Sequence, residues 1–475
     1  MDKIVGFVND IIWSNALIII AIVVGVYFTI VSRLLQVRFL KDMVKLLFGG
    51  QASSQGVTSF QAFSMAIAGR VGTGNIAGVA TAIAMGGPGA VFWMWVIAFF
   101  GAASAFVEAT LGQIYKQVKD GQYRGGPAYY IEKGLGIKWY AVLFAVVTVV
   151  STALLLPGVQ SNSIAVSMGN AFGVPLPVTG GVVCLLLALI IFGGVKRIGK
   201  VAEFVVPFMA IAYILMALII LTLHITEIPS MIALIFKSAF NLESAFSGVF
   251  GSAIAWGVKR GIYSNEAGQG TAPHAAAAAE VSHPVKQGLV QSFSVYVDTI
   301  FVCSATAFMI LITGNYNVVN PEGVFLVENI PGIEYGAAFT QAAVGEHFPA
   351  IGSGFVAFSL LFFAFTTIMA YYYYAETNLS YLIKPGKNHL WLTQLLRIGL
   401  LTATFYGAIR TAELAWTIGD IGVGMMAWLN FIAIVLLRKP ALKALKDYQA
   451  QKKHGKDPQF NPSEAGINNA EFWEK

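Results

Sequence analysis

One apolar segment of the chain is interrupted at its centre by residues that a lipid-facing helix does not tolerate. Residues 57–85 are long enough to cross a bilayer, but the run GRVGTGN from Gly69 to Asn75 carries three glycines and an arginine. Irregular backbone at membrane depth is tolerated only where it is buried in protein or lines a cavity. A broken helix offers amide hydrogens that attract a carboxylate and carbonyl oxygens that attract a cation. This segment therefore predicts half of a binding site in a transporter.

The composition indicates that the whole chain belongs in a membrane. Of its 475 residues, 57% are hydrophobic and only 11% are charged, whereas soluble domains are about 25% charged. The net charge of +6 comes without a basic stripe interleaved with aromatic residues, so nothing points to nucleic acid as a partner. Cys184 and Cys303 both lie in apolar runs, which argues against a disulfide framework or a metal cluster.

Mostly apolar runs long enough to cross a bilayer follow one another along the sequence. We therefore predict an all-α polytopic membrane protein with eleven transmembrane helices. Lys and Arg, with Lys259 and Arg260 among them, concentrate in alternate loops, which predicts an outside N-terminus and a solvated cytoplasmic C-terminal tail. The predicted spans are residues 14–34, 57–84, 90–115, 138–166, 176–194, 200–223, 243–262, 287–313, 352–378, 389–409 and 412–437.

The run Gly72–Thr73–Gly74–Asn75 forms the centre of the first candidate site. Small residues also serve close packing of helices, but packing explains neither Asn75 nor the neighbouring Arg70. The arginine could meet a substrate carboxylate. It could equally pair with an acid or a carbonyl toward the cytoplasmic side, and we favour that second role.

The seventh predicted span is a second candidate for a broken helix. Gly248, Gly251 and Gly257 interrupt it, and Ser252 supplies a hydroxyl next to Phe250. Equivalent interruptions in two halves of a transporter point to its substrate site, although helix packing is again the alternative. We predict that the following stretch, residues 265–280, is a structural loop packed under this helix.

Isolated polar residues inside other spans are candidates for contacts with a substrate or a cation. Gln160 follows Pro157 in the fourth span, Thr366 and Thr367 are adjacent in the ninth, and Asp298 lies inside the eighth. Hydroxyl, carboxylate and free carbonyl oxygens suit a hard alkali cation. Threonines in helices also commonly bond to their own backbone, and a buried Asp usually has a partner.

Three separated motifs resemble the alanine/glycine:cation symporter family. They are GTGNIAGVATAI at residues 72–83, RGGPAYYIEKGLG at 124–136 and GVKRGIYSNEAGQGTAPHAAAA at 257–278. The resemblance implies the amino acid–polyamine–organocation superfamily and its LeuT-like 5+5 inverted repeat, with one extra N-terminal helix. The implied divisions are residues 1–56 for that helix and its loop, 57–223 and 224–440 for the two repeats, and 441–475 for the tail.

The same resemblance implies roles for individual residues. Amide hydrogens at the first break would bind the substrate carboxylate, and carbonyls there would share Na⁺ with two threonine hydroxyls. The implied substrate contacts are Thr73, Gly74, Asn75, Gln160, Phe250, Gly251 and Ser252. The implied cation ligands are Ala68, Val71, Thr366 and Thr367, and Asp298 is a further candidate because its carboxylate lies inside the eighth span.

The family implies secondary active uptake of small neutral amino acids such as alanine and glycine, driven by sodium. Proton coupling and a preference for serine or glutamine stay open. A channel would need a continuous polar lining or a charged ring, and an enzyme would need a catalytic dyad or metal ligands, which the sequence does not show. We expect no cofactor beyond Na⁺ as coupling ion, no required protein partner, and a location in a bacterial cell membrane.

Overall fold

The computed structural model describes residues 2–50, 52–193, 195–242, 244–383 and 390–474, and these are mostly helical. Within these residues, seven helical segments are long and apolar enough to cross a membrane, as expected for a polytopic membrane protein. They are Lys3–Val31, Gly89–Ile114, Lys138–Phe172, Arg197–Leu223, Pro284–Thr313, Gly352–Leu382 and Ala412–Leu436. Helices that are shorter or less apolar cover parts of the remaining predicted spans.

The N-terminal part begins with a helix that the sequence analysis did not predict. Its apolar side chains Ile4, Phe7 and Ile11 are exposed and spaced for one face of a helix. The elements here are α1 (Asp2–Ile12), α2 (Asn15–Val31), α3 (Leu35–Arg38) and α4 (Leu40–Leu47).

The first interrupted segment is broken where its glycines lie. Helix α5 (Ser59–Arg70) begins with a capping box between Thr58 and Gln61. It ends at Val71, whose backbone is extended. A π-helical turn at Gly74–Gly78 then leads into α6 (Val79–Gly86).

The chain then runs through five longer helices, one short helix and a small hairpin. Pro157 has no amide hydrogen, and a π-helical turn at Ser151–Leu155 precedes it and bends the segment. The elements are α7 (Gly89–Ile114), β1 (Gln117–Lys119) paired antiparallel with β2 (Gln122–Arg124), α8 (Pro127–Tyr130), α9 (Lys138–Val150), α10 (Pro157–Phe172), α11 (Leu176–Ile191) and α12 (Val195–Leu223).

A second interrupted helix follows, but not at the predicted place. Helix α14 (Phe250–Asn265) is continuous, and the break comes after it, at residues 266–271. The elements of this part are α13 (Ile228–Ala239), α14, α15 (Ala272–Ala278), α16 (Pro284–Val295), a π-helical stretch at Tyr296–Cys303, and α17 (Ser304–Thr313).

The last part of the chain holds a second hairpin, a short helix in the long loop and three long helices. The elements are β3 (Asn317–Val319) paired antiparallel with β4 (Phe325–Glu328), α18 (Ala337–His347), α19 (Gly352–Leu382), α20 (Leu390–Ala408), α21 (Ala412–Leu436), α22 (Arg438–Lys453) and α23 (Pro462–Ala465).

Two groups of helices pack around the interrupted segments. Helix α7 packs along α14 and α16, and α10 packs along α19 and α20. Helices α10 and α20 approach so closely that a Cβ atom at Gly407 would overlap the backbone of Gly158. Glycine is needed at this contact because any side chain would separate the two helices.

The C-terminal tail is docked rather than solvated, contrary to the prediction. Phe460, Ile467 and Ala470 are buried. The amide of Phe460 donates to the carbonyl of Ser282 at 2.9 Å, and the indole N–H of Trp473 donates to the carbonyl of Gln113 at 3.0 Å. The tail therefore holds the end of α7 and the turn before α16 together.

Candidate functional site

The first break frees backbone groups that two side chains partly satisfy. The amide of Gly72 donates to Oδ1 of Asn75 at 2.8 Å, and the amide of Thr73 donates to Oε1 of Gln160 at 3.0 Å. Gln160 is buried on α10, and its amide nitrogen also reaches the hydroxyl of Tyr371 at 3.4 Å. The structure therefore brings the predicted residues Thr73, Asn75 and Gln160 together around the start of one half-helix.

The carbonyl groups of the same break face α19. The hydroxyl of Thr367 lies 2.8 Å from the carbonyl oxygen of Ala68 and 3.3 Å from that of Val71. The Thr367 hydroxyl also lies 3.0 Å from the carbonyl of Phe363 on its own helix. Thr366 bonds to the same helix, through the carbonyls of Phe362 and Phe363. Three oxygen atoms from two helices thus converge at one buried point, which is a donor set that suits a hard cation.

The second break lies in the stretch predicted to be a structural loop. Glu266 has a φ of 53° and ends α14, while Gly268 and Gly270 adopt φ values of 80° and 89°. Helices commonly end with a residue in the left-handed region, usually a glycine, so the backbone of Glu266 terminates α14. The carboxylate of Glu266 accepts from the hydroxyl of Thr271 at 2.7 Å.

Glu108 on α7 fixes the backbone of this second break. Its two carboxylate oxygens accept from the amides of Gly268 at 3.2 Å and Gly270 at 3.1 Å. Asn430 on α21 donates to the same carboxylate at 2.8 Å and to the carbonyl of Gly268 at 2.9 Å. All these groups are buried, so the carboxylate replaces the water that would otherwise satisfy the unwound segment.

The two breaks face each other. A Cβ atom at Gly74 would lie 3.2 Å from the Cα of Ser264, the penultimate residue of α14. A Cβ atom at Gly69 would lie 3.2 Å from a carboxylate oxygen of Glu266. The hydroxyls of Thr73 and Tyr263 are buried near this contact and have no hydrogen-bond partner among the described residues. Buried polar atoms of this kind require an explanation, and a polar ligand supplies one.

Asp298 joins the two breaks from the π-helical stretch. Its carboxylate accepts from Nδ2 of Asn75 at 2.6 Å, from the hydroxyl of Ser264 at 2.9 Å and from that of Thr299 at 2.7 Å. The carboxylate is fully buried. It therefore belongs to the same site, on the side of Asn75 opposite to the amide of Gly72.

The structure does not bring Phe250, Gly251 and Ser252 to the breaks. The carbonyl of Ser252 lies beside Gly86, at the far end of α6. Ser252 and Ser264 are twelve residues apart on one helix, which is about 18 Å along its axis. Phe250 is 37% exposed, and open space surrounds Gly251. Of the three glycines that predicted a break here, Gly251 and Gly257 lie within the continuous helix α14, and Gly248 lies in the 3-10 turn before it.

Packing explains one of those glycines. A Cβ atom at Gly257 would collide with Ala90 and Trp93 on α7, so the residue permits close helix contact. The residues that the sequence analysis missed are Tyr263, Ser264, Glu266 and Glu108. The paired Gly268 and Gly270 before a proline were the available signal for the true break.

Two arginines of the predicted spans, Arg70 and Arg260, are buried and have defined partners. Arg70 donates to the carbonyl of Gln291 at 3.1 Å and to the hydroxyl of Ser294, which agrees with the carbonyl partner favoured above. Arg260 is not a loop residue. It is buried in α14 and forms two hydrogen bonds with Asp420, which Lys259 also contacts at 2.8 Å.

The sequence profile of the sodium:alanine symporter family matches residues 1–462. The chain belongs to this family. A provisionally named sodium/proton-dependent alanine carrier of Bacillus subtilis (strain 168) is 64% identical over 100% of this chain and 98% of its own. The sodium/proton-dependent alanine carrier protein of Bacillus sp. (strain PS3) is 54% identical over 91% of this chain and 97% of its own.

A further relative is named for a different substrate. A provisionally named sodium/glutamine symporter of Bacillus subtilis (strain 168) is 46% identical over 97% of this chain and 93% of its own. Among solved structures, a manganese transporter of Eremococcus coleocola is similar with a TM-score of 0.50 and 13% identity, covering 90% of this chain and 94% of that one. That likeness concerns the fold alone.

Membership of the sodium:alanine symporter family, together with the apolar helices, makes this chain a membrane transport protein and not an enzyme. The facing breaks are where backbone donors, carbonyls and buried carboxylates concentrate. They are therefore the candidate transport site.

Proposed function

We propose that this chain is a secondary active transporter that imports small neutral amino acids, alanine and glycine first, together with Na⁺. One observation carries the proposal. Carbonyl and hydroxyl oxygens converge where Thr367 meets the first break, and a backbone amide that could bind a carboxylate, that of Thr73, lies beside them. The printed names of relatives that carry alanine support the choice of substrate.

In this proposal Na⁺ binds at the carbonyls of Ala68 and Val71 with the hydroxyl of Thr367, and Thr366 contributes after a rotamer change. The single hydrogen of the Thr367 hydroxyl has three carbonyl oxygens within reach, those of Ala68 at 2.8 Å, Phe363 at 3.0 Å and Val71 at 3.3 Å. When Na⁺ binds, it displaces this hydrogen from the carbonyls, and the hydroxyl oxygen of Thr367 becomes a ligand of the ion. No redox chemistry or cofactor is needed, because the ion acts as a charge that stabilises one conformation.

The amino acid binds between the two breaks. Its carboxylate replaces Oε1 of Gln160 at the amide of Thr73, with Gly74 and Asn75 completing that end of the site. Gln160 then turns to the substrate ammonium through its amide oxygen. The unpaired hydroxyls of Thr73 and Tyr263 supply further hydrogen bonds. Serine and glutamine remain alternative substrates, since one relative is named for glutamine.

Asp298 is a further proposed binding group for the coupling cation, which is either Na⁺ or a proton. It touches Asn75 from the first break and Ser264 beside the second, so its charge acts on both halves of the site. A bound Na⁺ or a proton would relieve a buried negative charge. Proton coupling in place of sodium is the alternative, and two relatives carry both ions in their names.

The proposed architecture has eleven spans in a LeuT-like arrangement. Residues 57–223 and 224–440 form the two inverted repeats, residues 1–56 add one helix, and residues 441–475 form the tail. The N-terminus lies outside and the C-terminus in the cytoplasm of a bacterial cell. Substrate and ion each stabilise the same occluded state, so each raises the affinity for the other before the site opens inward.

Uptake into proteoliposomes tests the proposal. An inward Na⁺ gradient should drive saturable accumulation of labelled alanine, and K⁺ in place of Na⁺ should abolish it. Unlabelled glycine, serine and glutamine then rank the substrates by competition. Accumulation driven equally well by a pH gradient without Na⁺ would select proton coupling, and flux that never exceeds equilibration would contradict a symporter.

A further inference from the structure

Two histidines from distant parts of the chain converge outside the transport site. His224 follows the last residue of α12, and His347 is the last residue of α18. Their Nε2 atoms are 2.7 Å apart, and their rings lie within 13° of parallel with centroids 4.8 Å apart. Both side chains are half-buried, so the pair is reachable from solvent.

A carboxylate fixes the protonation of the first ring. Oε1 of Glu227 lies 3.0 Å from Nδ1 of His224. A carboxylate accepts a hydrogen bond, so it holds the proton of His224 on Nδ1 and leaves a lone pair on Nε2. His347 must then donate from its own Nε2 to make the observed contact. A carboxylate on one imidazole nitrogen with a lone pair on the other is the arrangement found at metal-ligating histidines.

We propose that His224 and His347 bind a divalent transition-metal ion, such as Zn²⁺, Ni²⁺ or Cu²⁺. The ion takes the position of the shared hydrogen, and the Nε2 proton of His347 moves to its Nδ1, so no net proton is released. Metal–nitrogen bonds of about 2.0–2.1 Å require the Nε2 atoms to separate to roughly 3.3 Å in a tetrahedral shell. Water completes that shell. Na⁺ and Mg²⁺ prefer oxygen ligands and do not compete.

The bound ion links two elements that frame the transport site. Gln341 of α18 donates to the carbonyl of Ser167 on α10 at 3.0 Å and to that of Ser353 at 3.2 Å. Helix α18 also packs against the π-helical turn of the first break. A metal bridge ties α18 to the end of α12, and we expect it to slow movement of α18 and therefore transport.

Calorimetry with Zn²⁺ on the purified full-length protein, prepared through a tag without histidines, tests the site. Wild type should bind one ion per chain. His224→Ala and His347→Ala should each raise the Kd for Zn²⁺ at least tenfold. Glu227→Gln, which removes only the orienting carboxylate, should raise it by about 10–100-fold. His454→Ala, at an exposed position of the tail, is the matched control and should leave the Kd unchanged.

A melting temperature in detergent close to that of wild type shows that a variant is folded, and the glutamine variant of the same histidine replaces an alanine variant that is not folded. Equal Zn²⁺ affinity in wild type and His347→Ala would overturn the site, as would loss of binding in His454→Ala. Zn²⁺ should also slow alanine uptake by wild type more than by His347→Ala. Uptake that Zn²⁺ leaves unchanged overturns the link through α18, whereas the calorimetry judges the site independently of transport.

Discussion

The hydroxyl of Thr367 on α19 donates to the carbonyl of Ala68 on α5 across a distance of 2.8 Å. The hydroxyls of Thr367 and of its neighbour Thr366 both bond to the carbonyl of Phe363 on α19, and that of Thr366 also bonds to the carbonyl of Phe362. Only the first of these hydroxyls now connects the broken helix to α19. The adjacent threonines therefore provide a natural matched pair of substitutions.

Thr367→Ala is expected to raise the Na⁺ concentration for half-maximal alanine uptake by at least tenfold, because it removes one ligand and the contact that holds the carbonyls in place. Thr366→Ala should have a smaller effect, since its hydroxyl must first turn toward the ion. Thr222→Ala, at an exposed helix position, is the control. Unchanged Na⁺ dependence in Thr367→Ala would remove this residue from the ion site.

Gln160→Glu is expected to weaken alanine binding at saturating Na⁺ by an order of magnitude or more. The backbone amide of Thr73 now donates to the neutral side chain of Gln160. A glutamate carboxylate would accept the same hydrogen bond more strongly, because the bond is then charge-assisted, and would keep the substrate carboxylate from this amide. Equilibrium binding of labelled alanine to purified protein measures the effect. Gln55→Glu, which makes the same change at an exposed position outside the site, is the control. Wild-type affinity in Gln160→Glu would count against the contact.

Glu108→Gln is expected to lower alanine affinity although Glu108 need not touch the substrate. Glutamine keeps the size, but its single oxygen cannot accept from Gly268, Gly270 and Asn430 as the carboxylate does. Each buried amide left unpaired costs about 1–3 kcal/mol, so the second break should lose its fixed shape. Glu322→Gln in the exposed loop is the control. Equal alanine affinities in the variant and wild type would contradict this positioning role.

Asp420→Asn is expected to destabilise the protein more than any change at the surface. Asp420 is the partner of Arg260 and contacts Lys259, and all three side chains are largely buried. Removing one partner of a buried ion pair costs about 3–5 kcal/mol because the remaining charge is uncompensated. The melting temperature in detergent should fall, and adding Arg260→Met should restore part of it. Asp457→Asn, whose side chain is 73% exposed, should change little.

Protonation of His283 is expected to release the docked tail. Nδ1 of His283 accepts from the amide of Val285 at 3.2 Å, and Nε2 contacts Asp447 at 3.1 Å, so the ring is neutral with its proton on Nε2. Burial lowers the pKa of His283 below its ordinary 6.5, although Asp447 acts in the opposite direction. The stability gained from docking is therefore fully present above about pH 6.5 and decreases as the pH falls below it.

Spin labels on the exposed Ser463 of the tail and Ser53, in a background without other cysteines, measure this release. The distance distribution should broaden between pH 7.5 and pH 5. His283→Gln should abolish the pH dependence, whereas His454→Ala should retain it. A distribution that is identical at both pH values would contradict the prediction.

The first break was predictable because its signal is local. Three glycines and an arginine within seven residues cannot form a stable lipid-facing helix, and the break appears where they lie. The prediction that Thr367 and Ala68 bind the same cation rests on the resemblance to a family and not on any periodicity. Local sequence carries no information about which of two adjacent threonines faces another helix, because that depends on the rotation of α19 in the bundle.

The second break could not be located from hydropathy alone. The stretch after α14 is polar, so it resembles a loop between spans, although it is buried. Residues far away in the sequence satisfy its polar groups. Glu108, for example, accepts a hydrogen bond from the amide of Gly268. The sequence pattern places Lys259 and Arg260 in a loop for the same reason. Their partner Asp420, which allows them to be buried, lies 160 residues from Arg260. Partners at such separations emerge only with the packed structure.

The contact between Gly158 and Gly407 limits how this protein can move. Because no methyl group fits between these backbones, α10 and α20 cannot slide past each other without first coming apart. They should travel as one rigid unit through the transport cycle. The rearrangement that exposes the cargo to either side must then occur where polar side chains exchange partners, which leaves the interrupted helices as the moving parts.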